Sequence, residues 1–204
     1  MKTFFAIIGY LLCVTHIFAP PIFSHRAIHH PITSKNGMVS TQERYATTVG
    51  LDVLKQGGNA IDAAVAIGFA LAVTHPQAGN LGGGGFMMIH MANDHRTLAL
   101  DFRETAPKNA HKDLFLDSKG HVDSTKSRFS VLSSGTPGTV HGLLTALTDF
   151  GTMRRQQILK PAIKLAKRGI IVSKELSTSL KKAKPRLQKD PTMGPIFYPK
   201  NTDL

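Results

Sequence analysis

Residues 60–75 read AIDAAVAIGFALAVTH. A helix made of them is small and apolar on nearly every face, so it cannot lie on a surface with one side in water. Other elements must enclose it, and its alanines let them approach closely. Asn59 is of a type that caps helix starts with a side-chain oxygen, and Asp62 brings negative charge to a first turn rich in free N–H groups. Pro76 sets the end, because the residue before a proline is pushed out of helical geometry. With 204 residues, 42% of them hydrophobic, the chain is long enough to build a core around this helix.

The flanking segments supply candidates for that enclosure. Ser40-Thr41-Gln42-Glu43 has the Ser-x-x-Glu form of a capping box and predicts a helix from there to Gln56, stopped by Gly57-Gly58. FMMIHM and TLALDF, separated by ANDHR, predict an antiparallel hairpin of buried strands. SSGTPGTVHGLLTAL has the turn chemistry of a helix entry, with Pro137 near the first helical position. RQQILKPAIKLAKRG predicts an amphipathic helix ending at Gly169, and KELSTSLKKAKPRL predicts another. The last stretch, DPTMGPIFYPKNTDL, shows neither helix nor strand pattern and reads as an interruption inside a domain. On that reading helix 60–75 lacks some of its partners.

Residues 1–24 place Lys2 ahead of an apolar run at 4–14 and a Pro-rich stretch, the layout of a secretory signal peptide, with cleavage expected within 19–27. The run is short of the roughly 20 apolar residues a membrane span needs. A periplasmic or secreted protein is the expectation, with no stable membrane span. Cys13 is the only cysteine and follows Leu12, which argues against a lipoprotein signal and leaves the mature chain without disulfide or thiolate. Residues 25–37 read as a loose mature N-terminus and 38–204 as the folded part.

The net charge of +12 is uneven: up to Met153, 12 Lys+Arg stand against 10 Asp+Glu, and from Arg154 onward 13 stand against 3. Lys181, Lys182, Lys184, Arg186 and Lys189 could contact a polyanion, but a solvated helix face is the commoner explanation. No aromatic residues interleave to stack bases, so nucleic acid is not the expected partner.

Four glycines, Gly82 to Gly85, separate the apolar helix from the first strand. A phosphate-binding loop follows a strand and opens a helix; here that order is reversed and the spacing matches neither GxGxxG nor GxxxxGK. The residues alone leave open a close-packed link or a ligand-facing loop. His90 and His95 lack the spacing of a helical zinc site, and Ser133 and Ser134 lack the GxSxG elbow of a nucleophile. Arg103, directly after the second strand in DFRETAP, is placed to present its planar five-donor fork at one point. Such a fork clamps a substrate carboxylate through two parallel charge-assisted hydrogen bonds. An ion pair with Asp101 or Glu104 is the equally good alternative.

Three stretches, STQERYATTVGLDVLKQGGNAIDAAVAIGFALAVTHPQAGNLGGGGFMMIH, LDFRETAP, and SSGTPGTVHGL followed by LKPAIKLAKRGIIV, resemble in order the N-terminal portion of the γ-glutamyltransferase (γ-glutamyl transpeptidase) family. The resemblance runs over 38–187. It implies an α/β (α+β) fold of the N-terminal nucleophile hydrolase kind, a four-layer αββα sandwich that is incomplete in this chain, with 38–204 a partial large-subunit portion. It also implies a precursor that cuts itself in two, freeing a threonine at the new N-terminus of the small subunit. That threonine attacks the γ-glutamyl amide of glutathione or glutamine, and water or an amino acid or peptide then takes the glutamyl group.

By the same resemblance Arg103 binds the glutamyl α-carboxylate, and the glycines link helix 60–75 closely to strand 86–91 beneath the glutamyl pocket. No cofactor or metal is implied; the partners are a γ-glutamyl substrate and the C-terminal small subunit. The family's nucleophile motif, Thr-Thr-His followed by an aromatic residue and Ser or Thr, does not occur in these 204 residues. Thr74-His75 sits instead at a helix end before Pro76. No catalytic residue is assigned, and the chain alone is expected to be inactive, as a truncated product, a fragment or one piece of a split reading frame. The competing reading is a basic secreted protein that reuses part of this fold to bind a polyanion or a cell surface.

Overall fold

The computed structural model describes residues 31–78 and 80–199; the expected signal peptide lies outside them. Two units divide the chain, one up to Asn36 and one from Gly37 onward. The described residues of the first, 31–36, are exposed and form neither helix nor strand. The second contains, in order, α1 (Arg44–Lys55), α2 (Ala60–Thr74), β1 (Phe86–Met91), β2 (Arg96–Asp101), α3 (Ser124–Phe129), a 3₁₀ turn (Val131–Ser133), α4 (Thr139–Phe150), α5 (Arg155–Arg168), α6 (Lys174–Leu187) and α7 (Met193–Phe197). Among the described residues no helix is long and apolar enough to cross a membrane.

The core is built around α2. Asn59 Oδ1 accepts the N–H groups of Ile61 and Asp62 at 2.9 Å each, and Asp62 Oδ2 accepts the N–H of Asn59 at 2.8 Å. This reciprocal cap satisfies backbone donors that the helix start would otherwise leave open. No residue in 61–74 is exposed, as the apolar circumference requires. Helices α1, α4 and α5 pack around α2. Val53 of α1, Val65 and Phe69 of α2, Leu143 of α4 and Ile158 of α5 share one cluster, and Ile89 of β1 joins it. Each such side chain contributes about 1.5–3 kcal/mol on burial. Ala46, Ala66, Ala70 and Ala146 are fully buried and keep the helices close. The helix expected to lack partners therefore finds them within the chain.

Several expectations are corrected. Helix α1 begins at Arg44, and its cap is Glu43, whose carboxylate accepts the N–H of Ala46 at 3.0 Å. The Ser40 capping box does not form, because Thr41 occupies the turn with bonds to the N–H and carbonyl of Glu43. The stop at Gly57 holds: its φ is 87°, a left-handed conformation that costs glycine nothing. Helix α4 starts at Thr139 with Gly138 at its N-cap, so Pro137 stands two residues before the first helical position, near it as expected. At the chain's end α7 occupies a stretch without helical pattern, anchored where Tyr198 Oη donates to the Leu180 carbonyl at 2.6 Å.

The hairpin forms with β1 and β2 antiparallel, Phe86 opposite Asp101 and Met91 opposite Arg96. It is not buried on both faces. Side chains alternate across a strand, so Met87, Ile89, Leu98 and Leu100 face the core while Phe86 and Met88 are 67% and 71% exposed. The continuous apolar runs conceal this alternation.

Candidate functional site

Arg103 is delivered by a short strap, 102–105, that is fixed on two sides. On one side Phe102 and Gly85 exchange N–H···O bonds of 3.0 and 3.3 Å, which extend the β1–β2 ladder by one pair. On the other, Thr105 and Thr136 exchange bonds of 3.3 and 2.9 Å. The start of α4 is tied to the glycine run as well, since Gly138 and Thr139 both donate to the Gly83 carbonyl, at 2.9 and 3.0 Å. Strap, glycine run and helix entry thus form one hydrogen-bonded knot.

Glycine is needed at this knot for lack of space. A Cβ on Gly84 would lie 2.6 Å from the Phe102 carbonyl oxygen and 2.7 Å from the Glu104 nitrogen. One on Gly138 would collide with the Phe102 carbonyl, and one on Gly142 with the Phe102 ring. The run of glycines is therefore a site of close backbone approach. The element it admits is the strap bearing Arg103, not helix α2, which corrects the geometry expected from the sequence.

Arg103 itself is exposed, and its backbone N–H donates to Asp101 Oδ1 at 3.0 Å. Its guanidinium makes no ion pair with Asp101 or Glu104. The planar fork is thus free to take an external carboxylate, and it lines a cleft of about 540 Å³ together with Glu104, Leu114, Phe115, Ser133 and Ser134. Two glycines leave room for Glu104. A Cβ on Gly83 would be 3.4 Å from its carboxylate, and one on Gly135 would be 2.9 Å from its Cβ.

Ser133 Oγ donates to the Ser130 carbonyl at 2.6 Å, as a turn hydroxyl does. No histidine lines this cleft, so neither serine has an imidazole beside it there. His90 sits on the exposed face of β1 with Nδ1 3.0 Å from Thr97 Oγ1, and His95 occupies the hairpin turn with φ 55°. Thr74 Oγ1 donates to the Ala70 carbonyl at 3.2 Å within α2, and His75 caps the helix. Among the described residues no three His, Cys, Asp or Glu side chains group to hold a metal ion. What the cleft can do chemically is bind and orient an anion.

The sequence pointed to Arg103 but missed that Ser133, Ser134 and Glu104 share its cleft. The one signal for it was the pairing of two glycine-rich stretches, GGGG and SSGTPG, on either side of DFRETAP. Lys181, Lys182 and Lys184 of α6 are exposed, while Arg186 lies with its guanidinium 4.6 Å from the centre of the Phe129 ring.

A family model described as Gamma-glutamyltranspeptidase matches residues 46–204. The glutathione hydrolase proenzyme of Escherichia coli (strain K12) is 54% identical over 165 residues, covering 80% of this chain and 28% of that protein. The glutathione hydrolase proenzyme of Bacillus subtilis (strain 168) is 41% identical over 171 residues, covering 83% of this chain and 29% of that one. Among solved structures, Helicobacter pylori gamma-glutamyltranspeptidase superposes with a TM-score of 0.77 at 48% identity, over 80% of this chain and 47% of that chain. The gamma-glutamyltranspeptidase from Pseudomonas nitroreducens complexed with L-DON gives 0.76 at 40% identity, over 81% and 49%. The chain therefore spans less than a third of the length of these curated relatives.

Proposed function

Because this chain belongs to the gamma-glutamyltranspeptidase family, we propose that it is the part of a γ-glutamyl-transferring enzyme that holds the donor's α-carboxylate. Its fold is that family's mixed α/β fold, of which the described residues supply a helical layer and a two-stranded piece of sheet. The observation that carries the proposal is Arg103, carried on the hydrogen-bonded strap after β2 and lining a cleft, its fork without an ion-pair partner.

The donor is a γ-glutamyl amide such as glutathione or glutamine. Arg103 fixes its α-carboxylate, and a threonine supplied from outside these residues attacks the amide carbonyl to form an ester while the amine leaves with a proton. Water or an acceptor amine then releases glutamate or a new γ-glutamyl compound. The nucleophile is freed at the start of a small subunit when a single precursor containing this portion cuts itself in two, and the processed protein works in the periplasm or outside the cell, its first 24 residues acting as the export signal.

The 204 residues alone should release no product from a γ-glutamyl anilide. Co-expression with the whole remaining C-terminal portion, bearing the threonine motif, should restore release. Turnover by the 204 residues alone would overturn this division of labour.

A further inference from the structure

From Arg154 to Lys174 there are seven Lys and Arg and no Asp or Glu. On α5 the buried Ile158 and Ala162 face α2. At 100° per residue, Lys160, Ile163, Lys164 and Lys167 fall on the opposite side, and all four are exposed. Beyond the helix end at Gly169 the chain presents Ile171 and Val172, 77% and 48% exposed, before Lys174 opens α6. Ile163 is 51% exposed among its lysines. Among the described residues none of these cations enters an ion pair. The connection is held to the body of the fold by Tyr45 Oη of α1, which accepts the N–H of Ile171 at 3.3 Å.

A merely solvated face would mix both signs of charge and would not need three exposed branched aliphatic side chains. Lys164, Lys167 and Arg168 with Ile163, Ile171 and Val172 combine cations that make no ion pair with short apolar anchors, which is the chemistry of a surface that rests on anionic lipid headgroups. No exposed aromatic interleaves in this segment for base stacking. We infer that the end of α5 and the segment after it form a docking surface for an anionic lipid bilayer, independent of the reading of the Arg103 cleft.

The test is sedimentation of the full-length protein with phosphatidylcholine vesicles, with and without about one-third phosphatidylglycerol. Binding should require the anionic lipid and fall steeply with added salt. Lys164→Gln with Lys167→Gln and Arg168→Gln should lower partitioning about a hundredfold, at roughly fivefold per cation. Ile171→Ser with Val172→Ser should weaken binding without changing its salt dependence, and circular dichroism should show both variants folded. Equal binding to neutral vesicles, no binding to either kind, or full binding by the triple variant would overturn the inference. Equally tight binding to heparin would show a general polyanion site instead. None of these readouts depends on amide cleavage.

Discussion

Asp62 does more than cap a helix. Fully buried, it accepts the N–H and hydroxyl of Thr152 and the N–H of Met153, as well as the N–H of Asn59, so it ties the start of α2 to the α4–α5 connection. Burial pushes its carboxyl up, but the hydrogen bonds from Thr152, Asn59 and Met153 outweigh burial and hold it below the usual aspartate value of 3.8. A depressed folded-state pKa adds stability that is present above the unfolded value and lost as pH falls through the folded one. Asp62→Asn removes the charge and one acceptor oxygen, and should lower stability by about 2–3 kcal/mol at neutral pH. Thermal melts should show the gap between parent and variant closing as pH drops below about 4. A gap unchanged down to pH 2 or so would mean the carboxylate's charge contributes nothing. The sequence marked Asp62 as a first-turn charge; its bonds to Thr152 and Met153, ninety residues away, carry no local signal.

Among elements, α2 was readable because its all-round apolar surface leaves one solution, enclosure. The hairpin was readable only in part. Its strands and turn follow from two apolar runs, but a continuous run cannot say whether one face or both are covered. Phe86 and Met88 therefore stand exposed where burial was expected. This sheet face is one exposed apolar surface of the isolated chain, while α2 is well enclosed. Phe86→Ser with Met88→Ser should cut the binding of an apolar-surface dye to the 204 residues and leave their melting temperature nearly unchanged, since exposed substitutions usually fall within about 0.5 kcal/mol. Undiminished dye binding would place the exposed apolar surface elsewhere. The α7 helix escaped sequence reading for the opposite reason: it is five residues long, and a tertiary bond from Tyr198 holds it without help from local pattern.

At the scale of the described fold, a helical cluster packs against a two-stranded hairpin, and the strap that follows β2 carries Arg103. The arginine was legible because a strand ends just before it; its freedom from Asp101 and Glu104 was not, since neighbours in sequence say nothing of where side chains turn. Sequence also could not show that Gly84, Gly135 and Gly138 all lie close against the strap. The central claim is that Arg103 binds the donor α-carboxylate, and kcat/KM of the full-length protein tests it most directly. Two anilides serve, one γ-glutamyl and one lacking the α-carboxylate. Arg103→Lys keeps the charge but loses the fork, a loss of about 1.5–3 kcal/mol, so kcat/KM for the γ-glutamyl anilide should fall roughly ten- to hundredfold. For the anilide without the carboxylate, parent and variant should be alike. An equal loss on both substrates, or no loss on either, would contradict the assignment and make Arg103 a structural residue.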